Sequence, residues 1–212
     1  TPSDMALLAN RKKGVFAEVG ERQTLLARAN SFDHPIELEA TRVCHRGVTE
    51  PAEILEFCEV SRGSYAEAIC GVYPSPRLFH RHTSDNPNKT RGENFAQRVL
   101  REDLHLDPKE VRYNLLHPLS GLLHDPENTP SREVLFVGAS RKSLLEFQNS
   151  GLEMGLYPRR LELAFVPLFA AIRRLLVAGE LESSVMVIDL SDDAGQAFVV
   201  DRGGLALTIR FD

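Results

Sequence analysis

Apolar and polar positions alternate with a period of two in several short runs near the start of the chain. Val15 to Val19 predicts a short strand, Gly20-Glu21-Arg22 a tight turn, and Gln23 to Ala29 its hairpin partner. From Ile36 to Cys44 the alternation sets Ile36, Leu38 and Ala40 against Glu37, Glu39 and Thr41, the pattern of a half-buried strand. Thr49 is the expected N-cap of a helix with Pro51 in its first turn, burying Ile54, Leu55 and Cys58. Ala66 to Val72 reads as a buried strand ended by Pro74 and Pro76.

A second unit follows. Arg77 to Thr83 is a strand with Leu78, His80 and His82 alternating, followed by a polar loop from Ser84 to Lys89. Glu93 to Leu104 has Phe95, Val99 and Leu100 on one helical face. Val111 to Pro118 and Glu133 to Ala139 are strands, joined by a connection that includes the turn-rich run Asp125 to Pro130. Alternation of helix and strand then returns. Ser140 caps a helix carrying Leu144, Leu145 and Phe147, which ends near Gly151 or Gly155. Tyr157 to Leu163 is a strand. Phe165, Leu168, Phe169, Ile172, Leu175 and Leu176 form a helical stripe. Val185 to Leu190, Gln196 to Asp201 and Leu205 to Phe211 complete a meander whose second turn holds Gly203 and Gly204.

Composition narrows the class. The 212 residues are 42% hydrophobic and 26% charged, an ordinary globular balance. A net charge of -5 supplies no basic excess for phosphates, so nucleic acid is not an expected partner. Cys44, Cys58 and Cys70 are an odd set without a CxxC pair, as expected of buried thiols in a reducing compartment. No charged segment followed by an apolar run opens the chain. The longest apolar stretch, Leu163 to Ile172, contains Pro167 and is about half of the roughly 20 residues a bilayer requires. The expectation is a soluble protein that meets a membrane only through a partner. A start without methionine and a stop just after a strand-like run give the further expectation of a longer parent protein.

The element order, with its local phrases, resembles the actin-like ATPase superfamily, in the branch shared by the cell-division protein FtsA and the pilus protein PilM. Residues 133–142 (Glu133-Val134-Leu135-Phe136-Val137-Gly138-Ala139-Ser140-Arg141-Lys142) look like the strand-into-helix segment of that branch, and Gly155-Leu156-Tyr157-Pro158 onward to Ala170 like the passage after it. Val185 to Leu190 is similar to the second phosphate strand. The resemblance implies an α/β, ribonuclease H-like lobe (subdomain IA, residues 1–74 and 140–179). It also implies an inserted strand-helix-strand-strand unit of SHS2 type (subdomain IC, residues 75–139) and the beginning of a second lobe (residues 184–212). By that resemblance the function is a non-enzymatic cytosolic scaffold at the bacterial inner membrane, part of a type IV pilus or related secretion platform. Its implied partners are the N-terminal tail of a PilN-like membrane protein, held in a groove beside the insertion, a cytosolic motor ATPase and further copies of itself. Arg77 and Arg81, in the charge-rich run from Arg77 to Asn94, are the candidate partner-binding residues.

The alternatives are an active actin-like ATPase and an FtsA-like filament. Active members need two Asp-x-Gly hairpins, the carboxylate for magnesium and the glycine for close approach of phosphate. Here the first reads Glu18-Val19-Gly20, with a longer acid and with Glu21 and Arg22 crowding the turn. The second reads Asp189-Leu190-Ser191-Asp192-Asp193, so Ser191 replaces the glycine and two carboxylates stand where a triphosphate would lie. Glu18, Gly20, Asp189 and Ser191 are therefore a degenerate nucleotide site; no cofactor is expected, ATP with magnesium being the alternative. His80 and His82 share a strand face but lack a third ligand nearby in sequence, so no metal is expected. Ser120, Ser140 and Ser143 lie in no G-x-S-x-G elbow. Arg159-Arg160 and Arg173-Arg174 read as solvated charges at element edges.

Like charges about 4 Å apart cost roughly 1–4 kcal/mol in wet or surface-like surroundings. Calorimetric titration with ATP and magnesium should therefore detect no micromolar binding. A micromolar site that vanishes in Glu18→Ala would mean that both hairpins retain their phosphate role.

Overall fold

A computed structural model describes residues 13–20, 22–33, 35–74, 77–90, 92–118, 121–127, 129–190 and 195–211. The chain divides into two compact units, one running up to Tyr73 and resuming at Leu144–Ala164, the other comprising Pro74–Ser143 and Phe165–Asp212.

The first unit is a five-stranded sheet. Its strands are β1 (Gly14–Val19), β2 (Gln23–Ala29), β3 (Leu38–His45), β4 (Ala66–Val72) and β8 (Leu156–Leu163), in the order β3-β2-β1-β4-β8. β1, β2 and β3 pair antiparallel, whereas β4 runs parallel to both β1 and β8. This is the ribonuclease H-like order expected of an actin-like lobe. Strict alternation on β1 and β4 sends Val15, Ala17, Val19, Ala66, Ala68, Cys70 and Val72 into one core. Helix α1 (Pro51–Phe57) brings Ile54 and Leu55 to that core, and Leu144 and Phe147 pack on it from helix α3 (Arg141–Glu153). All three cysteines are buried and unpaired, and burial pushes the Cys58 and Cys70 thiols up to about 11. Gly155 ends α3 at φ +80°, a backbone that disfavours any side chain.

Two local expectations change. Glu50, not Thr49, caps α1: its side chain accepts from the N3 backbone while Glu53 reaches back to the Glu50 N–H. The Thr49 hydroxyl is occupied instead, accepting from the His45 N–H at 3.0 Å to close the turn after β3. β3 begins at Leu38 rather than Ile36, because a register shift between Arg28 and Ala29 ends the ladder there. Its facing parity is as expected, yet only Cys44 is buried and Leu38 is 66% exposed. This edge strand is covered at one end only, where Arg42 pairs with Glu53 of α1.

The second unit contains β5 (Arg77–Thr83), β6 (Val111–Leu116) and β7 (Glu133–Ser140), an antiparallel sheet with β7 in the centre. Helix α2 (Glu93–Arg98) continues as a wider π turn over Val99–Asp103, where Leu104 N–H donates to Val99 O. A single helix was expected there, but its apolar face is as read: Phe95, Val99 and Leu100 pack with Leu78, Leu115, Val134 and Phe136. The unit also holds helix α4 (Phe165–Ala178) and the meander β9 (Val185–Leu190), β10 (Gly195–Asp201) and β11 (Gly204–Phe211). The sequence reading grouped α4 with the first lobe. Its Phe165 and Phe169 rings instead pack against Phe79 of β5 and Phe198 of β10, which places it in this unit. No helix among the described residues is long and apolar enough to cross a membrane.

β6 and β7 approach closely at Gly138, where an added Cβ would lie 2.2 Å from the backbone oxygen of Arg112. Neither strand can yield without breaking the ladder. Gly138→Ala should therefore destabilise the second unit by roughly 2 kcal/mol or more, measured by urea denaturation.

Candidate functional site

The sequence-predicted residues fall in three places. The first is the β1–β2 hairpin. The Gly20 N–H, which a phosphate cradle would use, donates to Gln23 O at 2.9 Å. A Cβ at Gly20 would lie 2.9 Å from that same oxygen, so turn closure by itself accounts for a glycine here. Glu18 stands exposed on the sheet face opposite the core, and the Tyr73 hydroxyl donates to its Oε1 at 3.0 Å. The Gly20 N–H and one Glu18 oxygen thus each have a hydrogen-bond partner within the fold.

The second place is the β9–β10 hairpin. Leu190 pairs with Gly195 and Asp189 with Gln196, so the ladder runs up to the turn. Ser191, with Asp192 and Asp193, lies outside the described residues.

The third is β5, an edge strand with no neighbour on its outer side among the described residues. Arg77, Phe79 and Arg81 project to one face of the sheet by the strand period, and Leu78, His80 and His82 to the other. The Arg77 guanidinium lies over the Phe165 ring, 5.2 Å from its centroid. Arg81 Nη2 meets Glu133 Oε2 at 2.6 Å, and its Nη1 points at the carbonyls of Leu205 and Ala206 at 3.5 and 3.4 Å. It links β5 to β7 and reaches β11. On the opposite face, His82 packs edge-on against Phe95 and its Nδ1 lies 3.5 Å from Asp103 Oδ2. His80 is held below its ordinary value, first by burial and then by the neighbouring His82. Among the described residues no group of three or more His, Cys, Asp or Glu is placed to hold a metal ion.

Three features escaped the sequence reading. Phe79 is one, although its place at i+2 from Arg77 set it on the Arg77–Arg81 face. The Tyr73–Glu18 bond had no sequence signal, because it spans 55 positions. A pair of histidines, His117 and His124, meets across the hairpin that follows β6, with rings 4.7 Å apart.

Neither a protein-family profile nor a curated protein sequence matches the chain. Solved structures do. The chain is similar to the PilM-PilN type IV pilus biogenesis complex at a TM-score of 0.60 and 18% identity, over 95% of this chain and 62% of that one. It thus spans less than two thirds of that relative's length. It is also similar to the cytoplasmic domain of EpsL, an inner-membrane component of the type II secretion system of Vibrio cholerae. That match has a TM-score of 0.51 and 10% identity, over 93% of this chain and 71% of the other. A Bacteroides thetaiotaomicron protein with actin-like ATPase fold and unknown function aligns at a TM-score of 0.49 and 12% identity, over 96% and 71%. The fold is actin-like.

The Arg81–Glu133 pair is about one-third exposed on each side, so water screens it. A double-mutant cycle with Arg81→Leu and Glu133→Leu should give a coupling below about 1 kcal/mol. Phe198→Ala, which empties a fully buried ring site, should cost about 3–5 kcal/mol in the same denaturation assay. A larger coupling than ring cost would mean that charge, and not aromatic packing, holds this face.

Proposed function

We infer that this chain is a non-enzymatic adaptor of a bacterial envelope machine, of the type IV pilus or type II secretion kind. It stands on the cytoplasmic side of the inner membrane and captures the short N-terminal tail of a PilN-like single-pass protein. The observation that carries the reading is the likeness of 95% of the chain to the PilM-PilN complex. The likeness to a cytoplasmic domain from a second secretion machine supports the same class. Within the chain, the engagement of Glu18 by Tyr73 and of the Gly20 N–H by Gln23 favours binding over phosphate chemistry.

The free edge of β5 supplies a chemistry for tail capture. An extended peptide added to it would gain main-chain hydrogen bonds, and alternate side chains would meet the two faces of the sheet. On one side they meet Arg77 and Phe79, and on the other Leu78 and His80. Arg77 favours a tail with an acidic residue at the matching position. A cytosolic motor ATPase and further copies of the chain are the other partners that this role implies.

The test is fluorescence anisotropy with labelled N-terminal tails of single-pass inner-membrane proteins encoded nearby. One tail should bind with 1:1 stoichiometry, weaken as salt rises from 50 to 500 mM, and lose about tenfold or more in affinity with Arg77→Glu. Sedimentation at high concentration reads the rival outcome. Open-ended self-association with no tail bound would replace the adaptor with an FtsA-like filament.

A further inference from the structure

After β6 the chain turns back on itself. His117 N–H donates to Leu122 O at 2.9 Å, Gly121 N–H to His117 O at 2.8 Å, and His124 N–H to Leu115 O at 2.8 Å, with a bridge between Leu116 and Leu123. This places His117 and His124 diagonally on one face of a small hairpin. Their rings stand at 89° to each other, and His124 Nδ1 lies 3.3 Å from His117 Nε2. His124 is 5% exposed, and its other nitrogen, Nε2, is buried with no hydrogen-bond partner among the described residues. His117, by contrast, is half-buried and lines an open basin with Asp85, Arg132 and Glu133. Among the described residues one backbone bond, Leu205 N–H to Pro118 O at 3.2 Å, ties the hairpin to β11.

One proton suits this contact and a second does not. With both rings neutral, one facing nitrogen carries a hydrogen and the other offers a lone pair. With both rings cationic, two N–H groups and two charges confront each other. The charge on His124 would also be buried beside an unpartnered nitrogen. We propose that His117 and His124 form a proton-operated clasp, closing the hairpin against β11 while neutral and releasing it on acidification.

The surrounding charges set its bias. Asp125, next in the chain, favours the cation on His124, whereas burial and His117 oppose it more strongly and hold His124 below its ordinary 6.5. In the basin Asp85, Arg132 and Glu133 face His117, and Glu133 is already paired with Arg81. A histidine whose folded value is lowered contributes stability that is complete above its unfolded value. That contribution is lost as pH falls below it. The clasp is therefore closed above about pH 6.5 and opens progressively below. Release would loosen Pro118 and Gly121 from an apolar pocket that they line with Phe79, Leu116, Leu135 and Leu205. Any partner seated at that pocket would inherit the pH dependence.

Amide hydrogen exchange of the full chain at pH 7.5 and 5.5, corrected for intrinsic chemistry, tests this. Protection at Gly121, His124 and Leu205 should fall severalfold, up to about tenfold, while amides of the β5–β7 ladder keep theirs. His117→Gln, neutral at every pH, should abolish the change, and His80→Gln should leave it intact. An equal loss in the β5–β7 ladder, or persistence of the effect in His117→Gln, overturns the clasp. Should the His117 variant fail to fold, ring-proton titration of the unaltered protein decides. Coupled titration of His117 and His124 supports the proposal, and two independent curves refute it.

Discussion

Four phenylalanine rings hold the second unit in one piece. Phe79 lies 5.3 Å from Phe165 and 5.2 Å from Phe198, both nearly edge-on, while Phe165 and Phe198 stack at 5.5 Å and Phe169 closes the group. Each ring comes from a different turn or strand, so the cluster joins a sheet, a helix and a meander that share no backbone ladder. Edge and face contacts of this kind add to the area that the rings bury. Without them, the β5-β7-β6 sheet would keep only the α2 side covered, and Leu135, Val137 and Ala139 would face water. The arginines beside the cluster are secondary: Arg77 borrows the Phe165 ring as a platform, and Arg81 runs across the edge to Glu133.

The same logic separates structure from chemistry at the predicted nucleotide hairpins. A glycine in a tight turn, a carboxylate on a sheet face and a short hairpin are the materials of a phosphate cradle. They are also the materials of an ordinary β-hairpin. At Gly20 the turn itself consumes the N–H, and at Glu18 the hydroxyl of Tyr73, just past the end of β4, donates to one carboxylate oxygen. One Glu18 oxygen and the Gly20 N–H thus each have a partner within the protein.

Most strands were legible because alternation is a local property. Gln23–Ala29, Ala66–Val72, Arg77–Thr83 and Val185–Leu190 have the bounds that their patterns predict. Misreadings arose where a distant residue decided. Thr49 lost the cap to Glu50 because its hydroxyl closes the preceding turn, and Leu38 is exposed because α1 covers only the Cys44 end of β3. The stripe on α4 was evident, but a stripe says that a face is buried and not against what; Phe79 and Phe198 made that choice. At the candidate site the residue identities were readable and their partners were not. Tyr73 with Glu18, Arg81 with Glu133 and His117 with His124 are meetings that only the folded chain arranges.

The first unit is interrupted: β4 ends at Val72, and its parallel neighbour β8 does not begin until Leu156. Between them lies a sheet with its own core, complete once β7 has been made. On a ribosome moving at roughly 5–20 residues per second, the edge of β4 therefore waits several seconds for its partner. Throughout that interval a run of unpaired amides and carbonyls is open to any passing strand. The intervening sheet can close in the meantime, since all three of its strands emerge first. Birth order thus lets the β5-β7-β6 sheet pair before β4 gains its second neighbour. A nascent chain stalled before Leu156 would carry that sheet with its Phe79 face still uncovered, since Phe165, Phe169 and Phe198 come later, and such a species would be the natural client of a chaperone.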